Sequence, residues 1–215
     1  MAVTYPATIA ARVDHELEIR KSRFICHLQP VASVAEADTF IGAMRKQYWD
    51  ARHNCTAMVT GARGDQARSS DDGEPSGTAG VPMLEVLRRR GMTDVVAVVT
   101  RYFGGIKLGA GGLVRAYGQA VSEALDRAAL VHRRALTHVR IEAPHADAGR
   151  LDNLLRDWAA AHDAVVGEPV YGTAATLSVW APADALDRLR DDLAAWTAGA
   201  IAPSVGEVAI VDVPA

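Results

Sequence analysis

Three carboxylates fall within four residues at Asp71, Asp72 and Glu74. Carboxylates this close suit a hard cation such as Mg²⁺. They equally suit pairing with the chain's own Arg101, Arg115 or Arg88–Arg90, capping of a helix that opens near Pro82, or direct contact with a partner. The spacing of a calcium loop is absent and no second acidic motif accompanies them, so pairing is the expectation and no metal ligand is assigned. Beside them, Ser76 and Thr78 suit a helix cap or a phosphate.

Further along, Arg101-Tyr102-Phe103 leads into a glycine-rich loop with Gly104, Gly105, Gly109, Gly111 and Gly112, and then into a helix. A helix start presents unpaired N–H groups and partial positive charge, which suits an anion. Lys107, Arg101 and Arg115 add charge-assisted bonds to phosphate, and Tyr102 offers a ring for stacking. No Gly-Lys-Ser/Thr ends the loop, and Val114 stands where a dinucleotide fingerprint needs its last glycine. Both standard nucleotide motifs are therefore excluded. The phosphates of a nucleic-acid backbone remain, as does the plainer reading that these glycines form a tight turn and allow close helix packing. His53 and Cys55, two apart at a strand start, face the same way. A Cys–His nucleophile also needs an oxyanion hole and an orienting third group. Nothing in the sequence supplies them, so no catalytic residue and no cofactor are assigned.

These residues need a scaffold, and the chain of 215 residues suits one large domain or two small ones. With 49% apolar and 23% charged residues it has the composition of a soluble globule. No apolar run approaches a membrane span, and Met1–Pro6 lacks the build of a signal peptide. Two cysteines without metal-type spacing point to free thiols and a cytoplasmic setting. The net charge of -3 is unevenly spread: residues 1–135 hold 18 Lys+Arg and 14 Asp+Glu, residues 136–215 hold 5 and 12. This is compatible with nucleic-acid contact by the first part only, and equally with two differently charged solvated surfaces.

In the first part, residues 7–31 read as two strands joined near Asp14-His15-Glu16. Ala35–Tyr48 reads as a helix with Ser33 and Glu36 as a capping box. Asn54–Gly61 reads as a strand, 62–80 as a long loop, Pro82–Arg90 as a short helix, Asp94–Thr100 as a buried strand and Leu113–Leu130 as a long helix. Val131–Arg134 reads as a polar link. Beyond it, strands at Leu136–Glu142, Ala164–Val170, Thr173–Trp180 and Val205–Val213 alternate with two amphipathic helices. That βαββαβ order is ferredoxin-like, with both helices on one face of the sheet and the other face open.

The motifs Lys21-Ser22-Arg23-Phe24-Ile25, His53-Asn54-Cys55, Asp71–Gly80 and Thr100–Gly109 resemble the IMPACT family, in particular its bacterial YigZ branch. The resemblance covers about residues 15–125. It implies an α+β protein of two domains. Residues 1–133 would form a β-α-β domain like one in a small-subunit ribosomal protein and like domain IV of elongation factor G. Residues 134–215 would form a ferredoxin-like domain similar to domain V of that factor. It further implies RNA or ribosome binding and regulation of translation. Eukaryotic members carry an additional N-terminal partner-binding domain that this sequence is expected to lack. Thr56-Ala57-Met58 departs from the aromatic expected after Cys55. The sequence thus points to a non-catalytic, nucleic-acid- or ribosome-associated protein, with loops 71–80 and 104–112 on an anionic ligand and a protein partner on the C-terminal sheet. An enzyme or binding protein for a phosphorylated small molecule is the alternative, and a protein-interaction module the second.

Overall fold

The computed structural model describes residues 5–214. Residues 1–4, and with them most of the Met1–Pro6 stretch read as no signal peptide, lie outside the described residues. Among the described residues no helix is long and apolar enough to cross a membrane. The fold is α+β in two domains, and the chain divides into compact units at Arg133 and Arg134.

The first unit contains β1 (Thr8–Ile9), β2 (Val13–Ile19), β3 (Ser22–Pro30), α1 (Val34–Gln47), β4 (His53–Thr60), β5 (Gln66–Ser70), α2 (Gly80–Arg89), β6 (Val95–Tyr102) and α3 (Ala110–Leu125). Five strands form an antiparallel sheet in the order β2-β3-β6-β4-β5. At its centre β6 reads Val-Val-Ala-Val-Val because both of its faces are covered. Val95, Ala97 and Val99 join the core under α2 and α3, with Phe24, Cys55, Leu113 and Tyr117. Val96 and Val98 join a smaller core under α1, with Ala37, Ile41 and Met44. Period-two alternation thus sends neighbouring residues of one strand to opposite layers.

The second unit is built on β7 (Leu130–Ala143), α4 (His145–Ala161), β8 (Val165–Val166), β9 (Val170–Tyr171), β10 (Ala175–Ala181), α5 (Leu186–Thr197) and β11 (Ser204–Pro214). The order β11-β7-β10-β8 is that of a ferredoxin-like sheet. Leu151, Leu155 and Trp158 of α4 and Leu189 and Leu193 of α5 pack on Val139, Ile141, Leu177 and Val179.

Several local expectations shift. Asp14-His15-Glu16 lies inside β2, and the hairpin turns instead at Arg20 and Lys21, with φ of 48° and 64°. A two-residue turn of this kind needs positive φ at both positions, and neither residue is the glycine or asparagine that would announce it. The loop expected over 62–80 contains β5, which pairs along β4. Helix α3 opens at Ala110, so Gly111 and Gly112 lie in its first turn. The polar stretch Val131–Arg134 is extended backbone within β7, and β1 pairs with Leu130 and Val131. The strand expected at 164–170 is two short pieces, β8 and β9, interrupted where Pro169 removes a ladder donor. Ser33 caps α1 through its Oγ, 3.2 Å from the Glu36 N–H, while the Glu36 carboxylate reaches the Ala32 N–H rather than that of Ser33.

Candidate anion site at the end of the central strand

The antiparallel register places Arg101 of β6 opposite His53 of β4 and Phe24 of β3. The end of the central strand therefore meets the start of β4 under the loop that opens α3. A groove of about 350 Å³ lies there, lined by Arg52, His53, Glu74, Pro75, Arg101, Phe103, Lys107, Leu108, Gly109, Ala110 and Leu113.

The three clustered carboxylates diverge to three sets of partners. Asp71 sits at the head of α2 and accepts from the N–H groups of Gly77, Ala79 and Gly80 at 2.8, 3.0 and 2.8 Å. Burial pushes its carboxyl up, but these three N–H groups hold it below the ordinary carboxylate value. Asp72 pairs with Arg45 at 3.0 Å and accepts from the Asn54 N–H at 2.7 Å. Glu74 is buried; its Oε1 accepts from Arg101 Nη1 and from the Tyr117 hydroxyl, both at 2.7 Å. Among the described residues no group of three or more His, Cys, Asp or Glu could hold a metal ion. Helix α2 is capped by Asp71 rather than by Ser76 or Thr78: Ser76 is exposed, and Thr78 donates to the Pro75 carbonyl at 2.6 Å.

Arg101 is not an open cation. Its side chain is 8% exposed, pairs with Glu74, and lies over the rings of Phe24 and Phe103 at 5.4 and 5.6 Å. Its Nη2 is 3.4 Å from Ser22 Oγ, and its Nε is buried without a partner among the described residues. Tyr102 is separated from it by the strand's own alternation. It donates to Asp50 at 2.8 Å and carries Arg23 over its ring at 5.6 Å, so it does not line the groove. Phe103, 54% exposed at the rim, is the available aromatic face. Lys107 and Arg115 are exposed and make no ion pair among the described residues. Lys107 lines the groove; Arg115 does not, and its guanidinium lies beside Gly111.

Each glycine of the loop has its own reason. Gly104 is obligatory, since a Cβ there would stand 2.0 Å from the Lys21 carbonyl carbon. Gly105 and Gly109 hold φ of 85° and 72°. A Cβ at Gly112 would meet Leu108 Cβ at 2.9 Å. Gly111 has neither a positive φ nor a crowded Cβ position, its nearest neighbour there being Arg115 Nη1 at 3.8 Å.

His53 accompanies these groups, its Nδ1 3.0 Å from the Asp72 carbonyl. Cys55, two residues on, is buried; its thiol donates to the Asp71 carbonyl at 3.0 Å, and burial pushes its pKa up to about 12. That is the reverse of what an activated thiolate requires. Sequence reasoning missed Arg52 and Phe103. Arg52 precedes the His53-Asn54-Cys55 motif, and Phe103 lies inside a recognised one. Reading the Arg101–Phe103 stretch by strand alternation would have placed Phe103, not Tyr102, on the side of Arg101.

Comparisons with known proteins fit this division. A family model described as the Impact N-terminal domain matches residues 20–125, and a domain of unknown function (DUF1949) matches residues 141–200. The IMPACT family member YvyE of Bacillus subtilis is 52% identical over 150 residues, 70% of this chain and 69% of the relative. The IMPACT family member YigZ of Escherichia coli is 44% identical over 148 residues, 68% of this chain and 72% of that one. A crystal structure titled only as an hypothetical protein superposes with a TM-score of 0.60 at 35% identity, covering 96% of this chain and 98% of its own. With matched domains in both units and relatives of this identity across most of its length, the chain belongs to the IMPACT family.

Proposed function

We propose that this protein is a non-catalytic, cytoplasmic RNA- or ribosome-associated protein that takes part in regulating translation and contacts an anionic ligand through the groove at the head of α3. One observation carries the reading. Lys107 and Arg52 are exposed cations without carboxylate partners among the described residues, and they share a groove with the uncapped start of a sixteen-residue helix. Glu74, the one carboxylate lining that groove, is neutralised by Arg101. The rim therefore attracts anions, and phosphate oxygens suit both the helix N–H groups and the side chains. On the second unit, Gly206 faces His138, which places Val208 and Ile210 on the sheet face away from α4 and α5. Exposed apolar side chains on an acidic domain favour a protein partner there over RNA.

The test is co-sedimentation with ribosomes and with RNA, for the wild type beside Arg52→Ala/Lys107→Ala, at low and high salt. Binding should fall steeply with salt. The double variant should bind weaker with a shallower salt slope, by roughly one for each cation taken off a phosphate. Absence of binding at low salt, or a double variant indistinguishable from wild type, rejects the proposal.

A further inference from the structure

We infer that the groove takes a phosphate monoester on a nucleoside, whether the 5′-phosphorylated end of a single strand or a free mononucleotide. Its phosphate would lie at the start of α3 and its base against Phe103. This deepens the reading above and rests on it.

The two glycine-rich loops make a comparison within one molecule. Each leads into a helix. At α2 the N–H groups are already held by an anion from the chain itself, the Asp71 carboxylate. At α3 nothing among the described residues takes that place: the N-cap is Gly109, there is no side-chain cap and no acidic residue in the first turn. Ala110 and Gly111 are exposed there. Gly111 also lacks any packing reason to be glycine, unlike Gly104 and Gly112. Gly109 and Ala110, at the helix start, are the residues of this turn that line the groove.

A second feature, independent of the helix, points to the same place. Arg101 lines the groove with its side chain more than nine-tenths buried, and its Nε has no hydrogen-bond partner. Buried donors in folded proteins are almost always satisfied, and a ligand oxygen would supply the acceptor that the described residues do not. Lys107 and Arg52 add two uncompensated positive charges at the rim. Two cations and a helix start suit a monoester, which carries about -1.5 to -2 at neutral pH, better than a singly charged diester. The volume, about 350 Å³, fits one small ligand rather than the path of a strand. Pro75, Leu108 and Leu113 make the walls apolar, and Phe103 presents the face on which a base stacks.

The experiment measures fluorescence anisotropy of one short oligoribonucleotide in 5′-phosphorylated and 5′-hydroxyl forms, at low salt. A nucleoside 5′-monophosphate and inorganic phosphate serve as competitors. The phosphorylated form should bind about tenfold tighter or better. The monophosphate should compete, and phosphate alone should compete less. Phe103→Ala should weaken the monophosphate about tenfold while leaving phosphate unchanged. Lys107→Ala should leave thermal stability unchanged, since its exposed side chain makes no ion pair among the described residues, yet reduce the preference for the phosphorylated end about tenfold. If the monophosphate binds in this way but neither oligonucleotide does, the inference stands with the free nucleotide as its source. Equal, salt-sensitive binding of both oligonucleotides overturns this inference and leaves the broader reading in place. So does a preference that survives Lys107→Ala undiminished. Failure of every probe together with failure of ribosome co-sedimentation overturns both.

Discussion

Replacing Glu74 by glutamine tests the centre of the arrangement. In the native protein one oxygen of Glu74 holds both Arg101 Nη1 and the Tyr117 hydroxyl, with the two charged side chains only 3% and 8% exposed. The amide introduced by Glu74→Gln could still accept from Tyr117, but Arg101 would keep a buried charge with no counter-ion. Removing one partner of a buried pair costs about 3–5 kcal/mol, and the retained hydrogen bond places the expectation near the lower end, about 3 kcal/mol. The amides of β6 report opening of this unit, because that strand is the centre of its sheet. Hydrogen exchange there should accelerate by a factor of about 100, at tenfold per 1.4 kcal/mol. Adding Arg101→Met should recover most of the loss, since exchanging both charges for uncharged groups is often close to neutral. The reasoning fails if Glu74→Gln costs less than about 1 kcal/mol, or if the double variant loses the sum of the two single losses.

Asp71→Ala removes the acceptor for three N–H groups at the start of α2 and should cost about 1–2 kcal/mol, read from exchange of α2 amides. Because the folded Asp71 carboxyl lies below its ordinary value of 3.8, its contribution is present above that pH and is lost as pH falls through the lower folded value; an acid titration of α2 exchange should lose this dependence in Asp71→Asn. His27 behaves with the same sign. Burial holds its imidazole below the ordinary 6.5, although Asp14, 2.7 Å from Nδ1, pulls it back up and Arg12 pushes it down. The unfolded chain therefore binds more protons, so stability of the first unit should be full above about pH 6.5 and decline as pH falls below it; a urea-melt series in which His27→Gln shows the same decline would contradict this. Finally, Cys55 should resist iodoacetamide in the folded protein at neutral pH and react fully in denaturant, as its buried, hydrogen-bonded thiol remains protonated.

Much of the fold was legible because periodicity survives in the sequence wherever an element has one buried face. Leu151, Leu155 and Trp158 mark α4, and the uninterrupted Val95–Val99 run marks a strand covered on both sides. Elements whose identity comes from neighbours were not legible. Strand β5, Gln-Ala-Arg-Ser-Ser, exists through its pairing with β4 and carries little pattern of its own. The Arg20–Lys21 turn holds two side-chain-bearing residues at positive φ because the hairpin register requires it, against their intrinsic preference.

The sequence by itself determined the two-domain α+β character and the family, and it singled out the segment from Asp71 to Arg115 by its motifs. These follow from local pattern and long motifs, which need no knowledge of who packs against whom. It could not decide how the charges are divided between the fold and a ligand. Asp71, Asp72, Glu74 and Arg101 are all polar residues in glycine-rich surroundings, and they look alike in one dimension. Only the antiparallel register of β3, β6 and β4 buries Arg101 on Glu74 and leaves Lys107, Arg52 and the head of α3 facing the groove. Burial and pairing depend on residues far apart in the chain, and the same two properties separate a charge that stabilises the fold from one free to bind.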